Sequence, residues 1–100
     1  MKKDIVYNRV DGELKYQEIR WTPKPIGYIP DEKKCVAEWI NYMEYHLNKA
    51  KNSVYHLREA EALAEIRKVT ALGVRTMMVH GCPERKTPTD NIDEHGTKIN

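Results

Sequence analysis

Residues 22–30 read Thr-Pro-Lys-Pro-Ile-Gly-Tyr-Ile-Pro, and three prolines with one glycine in nine positions exclude a helix there and favour an extended connector. Each proline removes a backbone donor and restricts the residue before it, so no regular element can run through the stretch. The segment divides the chain into an N-terminal part, residues 1–21, and a longer body, residues 31–82, followed by a polar tail, residues 83–100. With 100 residues in all, these parts must share one core and form a single domain.

The N-terminal part alternates weakly between apolar and polar positions around Asp11-Gly12, a dipeptide that supplies the positive φ angles of a two-residue type I′ turn. This predicts a β-hairpin. Pairing Val10 with Glu13 sets Tyr7 opposite Tyr16 and Arg9 opposite Leu14, and gathers Ile5, Tyr7, Leu14 and Tyr16 on one face. Asn8, Lys15 and Gln17 take the other face, although Val6, Val10 and Ile19 weaken the contrast. A lone ribbon is marginal in water, so it must pack on the body or on another chain.

Asp31 is expected to cap a first helix, with Glu32 in its first turn near the positive end of the helix dipole. Val36, Ile40, Met43, Leu47, Ala50 and Val54 then recur at three- and four-residue steps, the spacing of one buried face. The break after it falls near Asn52-Ser53 or within Tyr55-His56-Leu57. A second helix is predicted from Glu59 to His80, with Ala62, Leu63, Ile66, Val69, Thr70, Gly73 and Met77 in one stripe. Gly81 closes it and Pro83 prevents its continuation. The short connection makes the two helices an antiparallel hairpin. The expected fold class is therefore α+β, mostly α: an N-terminal β-hairpin followed by a two-helix hairpin.

Ala60, Ala64, Ala71 and Met78 fall opposite the Ile66 stripe, with Leu72 on a flank. The alanines follow from helix propensity, whereas Leu72 and Met78, together with Gly73, suggest a helix packed on more than one side. Because so small a fold buries little surface, they predict a homo-oligomer.

Apolar residues make up 40% of the chain and charged residues 32%, with no Phe, which places it among globular domains with a modest core. No run approaches the ~20 apolar residues of a membrane span, and Met-Lys-Lys-Asp leads into no apolar stretch, so the expected location is the cytoplasm, with no membrane partner. Seventeen Lys and Arg against fifteen Asp and Glu leave a formal charge of +2, too balanced to make nucleic acid an expected partner.

Antiparallel helices bring Cys35 and Trp39 close to His80, Cys82 and Arg85. His80-x-Cys82 with Cys35 offers three soft ligands, but no Cys-x-x-Cys pair accompanies them, so neither a metal nor any other cofactor is expected. Trp39, Tyr42 and His46, at i, i+3 and i+7, place aromatic rings along a flank of the first helix. Arg67, Lys68 and Arg75 lie off the core stripe of the second, and Arg85 and Lys86 follow it. Rings stack on bases and cations pair with phosphates, so Trp39, Tyr42, His46, Arg67, Arg75, His80 and Arg85 form the candidate ligand-binding set. Catalytic patterns are missing: no Gly-rich phosphate loop, nucleophile elbow or His-Glu-x-x-His occurs. Glu59, Glu61 and Glu65 find no matching carboxylate pair on the first helix, which offers only Glu38 and Glu44, and are read as solvated surface.

Ile66-Arg67-Lys68-Val69-Thr70-Ala71-Leu72-Gly73-Val74, followed by Met77, His80-Gly81 and Pro83-Glu84-Arg85, resembles short proteins encoded by tailed phages and prophages, over roughly residues 36–86. A ribbon followed by two helices in an oligomer also looks, in architecture, like phage anti-defence sponges of the Thoeris anti-defence type. That resemblance implies a non-enzymatic viral protein in the host cytoplasm that sequesters a small anionic ligand, a nucleotide immune signal being the favoured candidate, between subunits. The alternative is an interaction module docking on a host enzyme.

Overall fold

The computed structural model describes residues 1–20 and 23–86, and every described regular element is helical. The chain runs α1 (Lys3–Ile19), a connector ending in a short 3₁₀ turn (Asp31–Lys33), α2 (Val36–Tyr55) and α3 (Glu59–His80). As α2 advances, its partners on α3 retreat: the carbonyl of Lys34 just before α2 meets His80, Met43 meets Gly73, and His46 meets Glu65. The two helices are therefore antiparallel, and α1 packs against α3.

The expected β-hairpin is absent, and with it the α+β class: residues 3–19 form one helix that runs straight through Asp11-Gly12. Gly12 does not use its freedom, since the glycines with positive φ are Gly27 and Gly81. The inward face of α1 is Val10, Glu13, Leu14 and Gln17, spaced i, i+3, i+4 and i+7. Two of those four residues are polar, so the helical period carries almost no hydrophobic contrast. Ile5, Tyr7 and Tyr16, which suggested alternation, are exposed instead. Helical spacing also brings Lys15 to 3.4 Å from Asp11.

Asp31 does not cap α2. Cys35 occupies that position, and its backbone N–H donates to Glu38 Oε1 at 3.1 Å. At the far end of α2, Leu57 adopts φ +60°, while Arg58 N donates to Ser53 O (2.8 Å) and Leu57 N to Val54 O (3.0 Å). This is a Schellman closure with leucine in the left-handed position that glycine usually fills. Gly81 ends α3 at φ +101°, its N–H bonded to Met77 O at 2.8 Å.

The core is small. Trp39, Ala50, Ala62, Ala71 and Leu72 are its buried apolar residues. Leu72, expected above to face another subunit, is buried within the chain with Ala71, on the side of α3 from which Arg67 and Arg75 reach α1, whereas Met78 is exposed. The predicted core stripes are only partly covered. Met43, Ala50, Ala62 and Gly73 form the seam between α2 and α3, whereas Ile40, Leu47, Val54, Leu63 and Ile66 remain exposed. No helix among the described residues is long and apolar enough to cross a membrane.

Candidate functional site: a basic and aromatic cleft

The side of α3 opposite the exposed stripe borders a cleft of about 1080 Å³ closed by α1, the connector and α2. Its walls follow from helical spacing. On α1, residues 9, 13, 16, 17 and 20 bring Arg9, Glu13, Tyr16, Gln17 and Arg20 to one side. On α2, Trp39, Tyr42, Tyr45, His46 and Lys49 do the same. From α3 come Arg67, Lys68, Leu72 and Arg75, and the connector adds Tyr28 and Lys34.

Polar contacts tie these walls together. Arg67 Nε donates to Glu13 Oε1 at 2.9 Å, and Gln17 Nε2 donates to Glu13 Oε2 at 3.0 Å, so the buried Glu13 carboxylate is held by α1 and α3 at once. Arg75 donates through Nε and Nη2 to Asp31 and through Nη1 to Gln17 Oε1 at 3.0 Å. Lys34, itself buried, donates to Asp31 Oδ1 at 3.0 Å and lies 5.1 to 5.7 Å from the ring centres of Trp39, Tyr28 and Tyr42. The Arg75 guanidinium stands 5.1 Å from the centre of the same Trp39 ring. Trp39 is fully buried, and its Nε1 is a buried donor with no partner among the described residues.

On the other wall, His46 Nδ1 lies 2.7 Å from Glu65 Oε1 and Lys68 Nζ 3.0 Å from Glu65 Oε2. Burial by itself raises the Glu65 carboxyl, but hydrogen bonds from His46 and Lys68 outweigh it and hold the group below its ordinary value. Asp31 behaves alike: burial raises it, and the bonds from Arg75 and Lys34 bring it below the ordinary aspartate value. Both carboxylates are thus ionised at neutral pH. Seven cationic side chains (Arg9, Arg20, Lys34, Lys49, Arg67, Lys68 and Arg75) surround the cleft, against three carboxylates at Glu13, Asp31 and Glu65. Arg9 and Lys49 pair with none of the three, although Lys49 lies 5.1 Å from the Tyr45 ring centre.

Comparison with family models, with curated proteins and with solved structures yields no match.

Of the seven candidate binding residues, Trp39, Tyr42, His46, Arg67 and Arg75 line the cleft together, and His80 and Arg85 do not. His80 Nε2 lies 2.8 Å from the carbonyl oxygen of Lys34, which can only accept, so this nitrogen carries a proton and fastens the end of α3 to the turn before α2. Arg85 lies in the exposed segment after Gly81. Glu65, read as solvated surface, is buried between two cations. The α1 residues are not evident from the sequence, because a hairpin scatters positions 9, 13, 16 and 20 that a helix aligns. Glu13 and Gln17, an i, i+4 pair of hydrogen-bonding side chains, were the clue available in the sequence. Cys35 and Cys82 are both free and exposed, and no group of three potential metal ligands is found among the described residues.

Proposed function

We propose that this protein is a non-enzymatic binder that sequesters a small anionic ligand of the nucleotide class in the cleft between α1, α2 and α3. The observation that carries the reading is the excess of cations over carboxylates around one cleft that also holds the accessible rings of Tyr16, Tyr28, Tyr42 and Tyr45. A phosphate is recognised by Arg and Lys donors and a base by an aromatic face, and both kinds of group line the same space. The volume of about 1080 Å³ lies just above the ~300 to 1,000 Å³ usual for small-molecule sites, enough for a nucleotide.

The cations differ in role. Arg75 and Lys34 are committed to Asp31 and Lys68 to Glu65, so they shape the wall. Arg67 uses Nε for Glu13 and is partly exposed, while Arg9 and Lys49 are exposed on α1 and α2. These three are the phosphate-facing candidates. Isothermal titration against cyclic and ADP-ribose-derived nucleotides, with inorganic pyrophosphate as a base-free control, tests the reading. Expected is one site per chain, weakened about tenfold by Lys49→Ala through loss of a charge-assisted contact, with the melting temperature unchanged. Absence of binding across the panel overturns it.

A further inference from the structure

The geometry points to a second copy of this chain as the occupant of the exposed face of the α2–α3 hairpin, in an antiparallel, two-fold arrangement about the middle of α2. This face lies away from the cleft, and the inference does not depend on what the cleft binds.

On α2, Val36, Ile40, Leu47 and Val54 are each between 45% and 58% exposed, although their spacing is that of a packed helix face. With Met43 and Ala50 they follow steps of four and three throughout, the seven-residue period of helices that pack along their length. On α3, Leu63, Ile66 and Met77 fall on the matching side, at steps that Thr70 and Gly73 complete to the same period. Between the helices, buried Ala50 and Ala62 form the floor of a shallow groove of about 550 Å³, flanked by Leu47, Val54 and Ile66. Monomeric proteins rarely leave a continuous apolar strip of this kind in water.

Charge placement selects the occupant. Glu44, Asn48 and Lys51 line the same groove from the α2 side. Glu44 and Lys51 form no ion pair among the described residues, and they lie one heptad apart on opposite sides of Leu47 and Asn48. A two-fold axis passing between residues 47 and 48 sets Glu44 of each copy beside Lys51 of the other. It also sets Asn48, an amide that both donates and accepts, beside itself. A surface that is its own electrostatic complement about an axis is what an isologous dimer requires. Area agrees: α2 is about 30 Å long at 1.5 Å per residue, and a face two helices wide gives roughly 550 Å² per copy. The total, near 1,100 Å², just clears the ~1,000 Å² that a specific interface needs, so the dimer should dissociate on dilution.

Sedimentation of the full chain over a range of concentrations tests this. The expected mass moves from that of the 11.7 kDa chain towards twice that value as concentration rises. Glu44→Lys sets two lysines against each other at both ends of the interface and should weaken association about tenfold, and adding Lys51→Glu should restore it. Leu47→Glu should leave a monomer with its helical circular dichroism intact. A chain that stays monomeric at every concentration overturns the proposal, as does a dimer indifferent to Leu47→Glu or a charge swap that fails to restore association.

Discussion

Arg75 grips Asp31 with two nitrogens, Nε at 3.1 Å from Oδ2 and Nη2 at 2.8 Å from both carboxylate oxygens, and uses Nη1 to hold Gln17. One guanidinium on α3 thus fastens both the turn before α2 and the helix that precedes the connector. Its side chain is 17% exposed, so the pair is shielded enough for breaking it to be costly. Arg75→Ala is expected to lower unfolding free energy by about 2 to 3 kcal/mol, because Asp31 loses its bidentate partner and Gln17 its donor. Arg75→Lys should recover little, since an ammonium cannot reproduce the planar fork. Urea midpoints of the three proteins check both expectations.

Asp31 and Glu65 make stability sensitive to acid. Each carboxyl is held below its ordinary value in the folded chain, so the unfolded chain binds protons first as pH falls. Their contribution is fully present above the ordinary carboxylate range of about 4 and is lost as pH drops through the lowered folded values. Thermal melts between about pH 7 and pH 3 should show a falling midpoint below about pH 5, less steep in Asp31→Asn. An equal slope in that variant would remove Asp31 from the account.

Gly12 separates a helical N-terminus from a hairpin. It sits mid-helix in α1 with no atom within 4 Å of where a Cβ would be. Gly12→Ala should therefore stabilise the protein by about 0.5 to 1 kcal/mol, raising the melting temperature by a few degrees. In a type I′ turn the same change destabilises, so the sign alone decides.

Leu57 carries backbone strain at the end of α2. Its φ of +60° disfavours any residue with a Cβ, and its side chain is almost wholly exposed, so it contributes little packing in return. Leu57→Gly is expected to stabilise by about 0.5 to 1 kcal/mol, read as a higher denaturant midpoint with unchanged slope.

Leu72 and Leu47 differ in what a charge does to them. Leu72 is 7% exposed beneath the cleft and Leu47 is 45% exposed on the outer face. Leu72→Glu should destabilise the chain strongly, since it removes a buried apolar side chain and the shielded cations of that wall, Lys34, Lys68 and Arg75, are already engaged by Asp31 and Glu65, with circular dichroism reporting the loss of helix.

Helix α3 could be read from its residues because the instructions are local: a 3.6-residue stripe, a glycine able to take positive φ at residue 81, and a proline two positions on. The period on α2 and the helix-breaking connector are local in the same sense, as is the i, i+3, i+7 alignment of Trp39, Tyr42 and His46. What covers each face is not local. Ala71 and Leu72 are buried, and Ile40 and Leu63 exposed, because α1 lies on one side of α3, and that depends on Glu13 meeting Arg67 and Gln17 meeting Arg75 across more than fifty residues. Such contacts leave no periodic hydrophobic trace, since a helix whose inner face is half polar looks in sequence like weak alternation. Tertiary structure therefore decided that residues 3–19 are helical and that five of the seven candidate binding residues share a cleft. It also decided that Asp31 pairs with Arg75 instead of capping α2, because a carboxylate is drawn to the nearest buried guanidinium, whose position only the packed helices determine.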